Sequence, residues 1–332
     1  MRHGFLVLFS QQWYNDKKGV TPLIGYLILC LCAIASVILI IAYICYRMTF
    51  RAAKRQPLGP DEYRTPKGAV YDPHREFMIG LMKQLRAMDC ETFTITSHDG
   101  LKLVAQYYEY APGAPMELMF HGYRSTSESD LCGGVQRCFS LGRSAVLVHQ
   151  RGCGESEGHV ISFGVNEHRD CLAWVDFLVR HFGEEVKIYL TGISMGAATV
   201  LMAAGKPLPK QVVGVIADCG YTSPKAIIQK VAKDRGFPPK LVYPLIRLGA
   251  KVYGNFDPEE YSPIEAVKTI HVPVVFIHGE TDSFVPCSMS EENYKACASE
   301  QKHLFTVANT GHGLAYLIDP EGYKQALKTF EE

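Results

Sequence analysis

Six short runs of nearly unbroken apolar residues, most of them followed by a stretch with helical spacing, constrain this chain more than any other feature. They read "MELMF", "SAVLVH", "VKIYLTG", "QVVGVIAD", "VPVVFIHG" and "HLFTVAN". A strand with one face in water alternates apolar and polar residues, whereas a strand covered on both faces is apolar throughout. Between or after these runs stand "NEHRDCLAWVDFLVRHFG", "MGAATVLMAAG" and "LAYLIDPEGYKQALKTFEE", which read as helices. The pattern predicts the α/β class, with a mostly parallel central sheet and helices on both faces. Ahead of it, Met78–Met88 has helical spacing, "TFTITSHDGLKLVAQYYEYA" reads as a hairpin turning at Asp99-Gly100, and "ESDLCGGVQRCFSLG" reads as one helix. Residues 222–263 break the alternation with basic, proline-punctuated helical sequence and are expected to form a short lid.

A second constraint lies at the N-terminus. Leu23 to Tyr46 is "LIGYLILCLCAIASVILIIAYICY", 24 residues without a charge. As a helix this run extends about 36 Å, enough to cross a bilayer with some tilt. Tyr26, Tyr43 and Tyr46 near its ends suit the two interfaces. A signal peptide has a shorter apolar core and a small-residue cleavage site, whereas here "RMTFRAAKRQ" follows. The expected organisation is an N-terminal flank (1–22), one transmembrane helix (23–46), a linker and leading helix (47–89) and a globular domain (90–332). Arg47, Arg51, Lys54 and Arg55 after the span, against Arg2, Lys17 and Lys18 before it, lean toward a cytoplasmic domain.

Composition excludes other classes. Thirty-four basic and 34 acidic residues leave no net charge, so a nucleic-acid partner is not expected. Eleven cysteines without a CxxC pair argue against a zinc site and read as reduced residues that pack as small hydrophobes. The Gly152, Gly154 and Gly158 spacing in "RGCGESEG" is one residue too long for a dinucleotide fingerprint, and Glu155 and Glu157 would repel a pyrophosphate.

Chemistry concentrates at Gly192-Ile193-Ser194-Met195-Gly196, where an apolar strand meets a small-residue helix. Such a turn holds a serine in a strained conformation that only flanking glycines permit. A serine hydroxyl needs a base, and the base needs an orienting carboxylate. Asp282 follows the strand "VPVVFIHG", and His312 follows the last strand in "ANTGHG". Asp218 also ends a strand and could be mistaken for the orienting carboxylate, a choice that the resemblance below makes in favour of Asp282. The oxyanion needs two N–H donors, expected from Met195, next after the serine, and from Tyr123 in "FHGYRST". Gly192, Gly196, His121 and Gly122 are expected to support the site structurally. Cys153 and Cys219 are expected near the site, where either could be a reactive thiol, and packing is the preferred role.

Together, "HGYRST", "RGCGESEG", "GISMGAA", "DCGYTS", "HGETDSFVP" and "GHG" resemble an α/β-hydrolase, and in particular the bacterial membrane-anchored hydrolases of the serine-aminopeptidase-like (S33-type) group. The resemblance covers about residues 90–332. It implies an α/β-hydrolase fold with Ser194, Asp282 and His312 as triad and Tyr123 and Met195 at the oxyanion hole. It also implies a serine hydrolase acting on a small-molecule or lipid-like acyl substrate, a carboxylic ester first. Peptidase, thioesterase or acyltransferase chemistry and a non-catalytic binding module are the alternatives on the same fold. No metal or organic cofactor and no obligate protein partner are implied; the membrane is engaged through the single anchor. Seven cations against Asp234 between Ser223 and Gly254 make the lid a further candidate for contact with anionic headgroups.

Overall fold

The computed structural model describes residues 3–52 and 58–329, and for residues 3–23 the backbone only. The ends of the chain and residues 53–57 of the expected linker, with Lys54 and Arg55, lie outside the described residues, as do the side chains of the N-terminal flank.

Eight strands form one sheet: β1 (Glu91–Thr96), β2 (Lys102–Tyr108), β3 (Met116–Phe120), β4 (Ser144–His149), β5 (Ile188–Ile193), β6 (Val212–Asp218), β7 (Val274–Gly279) and β8 (Lys302–Val307). Their order is β1-β2-β4-β3-β5-β6-β7-β8, and only the pairings of β2 are antiparallel. The helices are α1 (His3–Thr49), α2 (Arg75–Arg86), α3 (Ser127–Leu131), α4 (Gly134–Ser140), α5 (Glu167–Phe182), α6 (Met195–Ala204), α7 (Pro224–Asp234), α8 (Pro239–Tyr253), α9 (Pro263–Ala266), α10 (Cys287–Ala296), α11 (Ala315–Ile318) and α12 (Pro320–Lys328).

Strands β3, β4 and β7 are buried along their whole length, as continuous apolar runs require. On β4, Val146 and Val148 join a core with Trp174 and Leu178 of α5, while Ala145 and Leu147 join a core with Met82 and Leu85 of α2. The sheet is therefore covered on both faces. Glu117 is the exception on β3: it is fully buried and accepts bonds from Arg137 on α4, from Arg143 Nη1 (3.0 Å) and from Thr191 Oγ1 (2.9 Å). Such a cluster holds helix to sheet because removing one partner strands a buried charge.

Three elements differ from expectation. One is the closing run "LAYLIDPEGYKQALKTFEE", which was expected as one helix and forms α11 and α12, parted at Asp319 because the residue before Pro320 is pushed out of helical conformation. The helix expected over "ESDLCGGVQRCFSLG" is two short helices, α3 and α4, broken at Cys132 and Gly133, where adjacent glycines weaken the helix. Helix α10 was not foreseen. Its buried positions are Ser290 and Asn293, both polar, so it carries no apolar stripe for periodicity to detect.

Helix α1 is long and apolar enough to cross a membrane from Ile24 to Thr49, and its apolar side chains from Ile24 to Ile41 are largely exposed. Near its end a single stripe turns inward: Ala42, Tyr46 and Phe50 are 0%, 3% and 0% exposed. Tyr46 and Phe50 share an apolar cluster with Phe163, Met195, Tyr243, Ile246 and Phe256. Within the lid, the excess of positive charge is smaller than the stretch to Gly254 suggests. Asp257 and Glu259 lie just beyond it, and pair with Arg247 (2.8 and 3.0 Å), Lys251 (2.8 Å) and Lys225 (3.1 Å).

Candidate active site

The parallel strands end together along one edge, with Phe120 beside Gly192 and Ile193 beside Asp218. At this edge Ser194 has φ 57° and ψ −115°, a left-handed conformation costly for a residue with a side chain. The glycines on either side are required by close approach. A Cβ on Gly192 would stand 2.1 Å from the Gly196 carbonyl carbon, and one on Gly196 would stand 2.0 Å from the Phe120 oxygen. The turn is pinned by the Ser194 N–H, which donates to the Asp218 carbonyl at 2.8 Å, and α6 begins at once behind it.

Ser194 Oγ lies 2.9 Å from His312 Nε2, and His312 Nδ1 lies 2.6 Å from Asp282 Oδ2. The three residues expected from sequence are therefore brought into one hydrogen-bonded line. Asp282 Oδ1 accepts from the N–H groups of Phe284 and Val285 at 2.8 and 2.9 Å. Burial alone would raise the Asp282 carboxyl, but bonds from His278 and His312 hold it well below the usual carboxylate range. It stays ionised beside the imidazole it orients.

His278 was not singled out by the sequence. It is fully buried on β7, with Nε2 2.9 Å from the Val285 carbonyl and 3.3 Å from Asp282 Oδ2. A carbonyl only accepts, so Nε2 carries a proton, and Nδ1 lies within hydrogen-bond distance of Ser290 Oγ at 2.7 Å. The one available signal was its place in "HGETD", four residues before Asp282.

Asp218 lies close by but is not the partner of His312 Nδ1. It is 4% exposed, its Oδ1 meets no hydrogen-bond partner among the described residues, and burial pushes its carboxyl up to about 6. It borders a cavity of about 110 Å³ that opens onto Ser194 and His312 and is lined by Met119, Leu131, Ile193 and Leu317. Tyr71, from the segment expected to be a surface linker, also borders this cavity and donates to the His312 carbonyl at 3.0 Å.

The loop after β3 packs against the serine. A Cβ on Gly122 would stand 3.4 Å from Ser194 Cβ. The Gly122 N–H is already committed to Asp130 Oδ2 at 2.8 Å, whereas the Tyr123 N–H meets no acceptor among the described residues. Met195 opens α6, so its N–H is one of the donors a helix start leaves unsatisfied. His121 is buried within the loop, with Nε2 facing the Gln150 N–H at 3.3 Å. Cys219 Sγ is 4.0 Å from His312 Nε2, and burial raises its thiol well above the ordinary value. Cys219, Asp282 and His312 are close enough together to share a metal ion, although Asp282 and His312 already bond each other. Cys153 is half-buried against the apolar cluster under the lid.

Comparison with known proteins identifies the architecture. The alpha/beta hydrolase fold family model matches residues 118–256. The uncharacterized protein YqkD of Bacillus subtilis is 27% identical over 191 residues, which cover 57% of this chain and 62% of that protein. The chain thus spans less than two thirds of that relative's length. Among solved structures, the Pyrococcus furiosus esterase Pf2001 superposes with a TM-score of 0.60 at 20% identity, covering 74% of this chain and 93% of the esterase. Est1E of Butyrivibrio proteoclasticus, solved with ferulic acid bound, superposes with a TM-score of 0.54 at 20% identity, covering 72% of this chain and 100% of Est1E. The chain has the α/β-hydrolase fold.

Proposed function

We propose that this α/β-hydrolase-fold chain is a membrane-anchored serine hydrolase that cleaves a carboxylic ester. The observation that carries this reading is the line of hydrogen bonds from Ser194 Oγ through the His312 ring to Asp282. His312 Nε2 takes the hydroxyl proton as Ser194 Oγ attacks the acyl carbon, and Asp282 stabilises the imidazolium and fixes its orientation. The N–H groups of Met195 and Tyr123 receive the charge on the carbonyl oxygen. The ester C–O bond then breaks, the alcohol leaves with the proton from His312, and water repeats the sequence to release the acid. The cavity beside Ser194 takes part of the acyl substrate, since its lining of Met119, Leu131, Ile193 and Leu317 offers apolar surface and little room. The esterase name of Pf2001 favours an ester over the amide of an aminopeptidase.

Helix α1 anchors the chain in a bilayer, with the globular part on the cytoplasmic side. Arg47 and Arg51 next to the span favour that side. Protease treatment of intact cells should leave the globular part uncut, and digestion under those conditions reverses the assignment.

The activity is tested with a fluorophosphonate probe on the full-length chain in detergent, followed by panels of nitrophenyl esters and aminoacyl amides. Wild type should label covalently and Ser194→Ala should not, with ester turnover exceeding amide turnover. A folded wild type that takes no probe and turns over no ester rejects the reading.

A further inference from the structure

The end of α1 is built into the loop that follows β3. The last carbonyls of a helix have no partner within it and must be capped from outside. Here the caps come from two consecutive residues. Tyr123 Oη donates to the Thr49 carbonyl at 2.7 Å. Arg124 Nη2 lies 2.9 Å from the Met48 carbonyl, 3.5 Å from that of Arg47 and 2.9 Å from that of Arg51. A guanidinium at this position also opposes the negative end of the helix dipole. Arg124 itself has φ 52°, so the loop is held in a conformation that its own backbone disfavours.

The contact is reinforced on both sides. Next to α1, the Ala52 N–H donates to the His159 carbonyl at 2.9 Å, and the Ile161 N–H to the Phe50 carbonyl at 2.7 Å. Tyr253 of α8 donates to the Leu39 carbonyl at 3.1 Å. On the other side of the loop, Asp130 holds the Gly122 N–H and the Ser125 hydroxyl. The Tyr123 backbone is therefore clamped between Asp130, which fixes Gly122 beside Ser194, and the end of the membrane helix.

We infer that α1 is a working part of the active site as well as an anchor: its terminal carbonyls, held by Tyr123 and Arg124, position the Tyr123 N–H for the oxyanion. This inference rests on the hydrolase reading above. Tyr123 contributes twice, its N–H to the reacting oxygen and its hydroxyl to the helix end. Arg124 touches no substrate and acts as a positioning residue through Tyr123. A bilayer-spanning helix thereby sets the geometry of a donor that matters only while charge develops on the substrate oxygen.

The test compares full-length wild type, Arg124→Gln, Arg124→Lys and Tyr123→Phe in detergent micelles. Each is measured for kcat and KM on a short nitrophenyl ester, for inhibition by a trifluoromethyl ketone, and for thermal midpoint. The ketone forms a tetrahedral oxyanion on the serine and so reports the donor directly. Losing a whole oxyanion donor costs about 10²–10³ in kcat, so a displaced one should lower kcat about 10- to 100-fold in Arg124→Gln. KM should stay within about twofold, and ketone affinity should fall by the same factor as kcat. Arg124→Lys should recover most of the rate, because an ammonium still caps carbonyls. Tyr123→Phe keeps the N–H, removes only the hydroxyl, and should show a smaller loss of the same kind. If Arg124→Gln does not fold, Tyr123→Phe carries the test. Wild-type kcat in the variants, or a kcat loss with ketone affinity unchanged, overturns the inference. Wild type that refuses the fluorophosphonate rejects the hydrolase reading itself, whereas an active wild type with equally active variants rejects the inference alone.

Discussion

Gly249 of α8 lies against Ala42 of α1 so closely that a Cβ on the glycine would stand 2.3 Å from the Ala42 carbonyl oxygen. The two helices meet backbone to backbone there, and Tyr43 and Tyr46 of α1 pack beside the contact against Tyr253 of α8. Gly249→Leu should force the helices apart and destabilise the protein by about 1–3 kcal/mol, the usual range for overpacking. A thermal melt of the full-length chain checks this, and an unchanged midpoint would mean that α8 does not depend on α1.

The His278 ring approaches Asp282 Oδ2 at 3.3 Å, the same oxygen that His312 Nδ1 bonds at 2.6 Å. Replacing it with leucine removes the Nε2–H and leaves the carboxylate with one imidazole. His278→Leu should lower kcat on the order of tenfold, far less than the roughly 10⁴-fold loss expected when Asp282→Asn removes the orienting carboxylate. Steady-state kinetics on the two variants decide the order. Equal losses would move His278 into the same role as Asp282, and no loss would make it packing alone.

Gly196→Ala puts a methyl group 2.0 Å from the Phe120 carbonyl oxygen, where backbone and not a flexible side chain must move. The turn at Ser194 should open, with fluorophosphonate labelling slowed at least tenfold, as for the loss of a well-placed catalytic geometry. Retention of the wild-type labelling rate would show that the turn tolerates a Cβ there.

Asp218 should make stability depend on pH. In the unfolded chain its carboxyl loses its proton near 3.9, whereas burial raises the folded value to about 6. Between these values folding takes up a proton, so the stability it contributes falls as pH rises through about 4 to 6 and stays low above. Asp218→Asn removes the ionisation, and should stabilise the fold above pH 6 by up to about 3 kcal/mol, with the gain shrinking toward pH 4. Denaturant melts across that range measure the difference; a gain that does not vary with pH would assign it to packing.

Much of this was legible in the order of residues. Continuous apolar runs identified β3 to β7 because burial on both faces leaves no room for alternation, whereas the edge strand β8 was found from a similar run although it is mostly half-buried. "GISMG" between a strand and a helix marked a strained turn, because only glycine can accept its contacts. Helix α10 escaped because its inward side chains are polar and serve His278 and the Tyr221 carbonyl. The pairing of the lid's cations was not legible, because Asp257 and Glu259 fold back onto Lys225, Arg247 and Lys251 earlier in the chain.

Local sequence thus determined where this chain forms strands, helices, the tight turn and the long apolar span, since periodicity and turn chemistry act over a few residues. The tertiary structure decided which carboxylate faces His312: Asp282 and Asp218 both follow strand ends, yet only Asp282 reaches Nδ1. It also brought Tyr123 and Arg124 onto the carbonyls of α1, more than 70 residues earlier. A helix end has unsatisfied acceptors in any sequence. Which donors come to meet them is settled only when the sheet edge, the lid and α1 pack together.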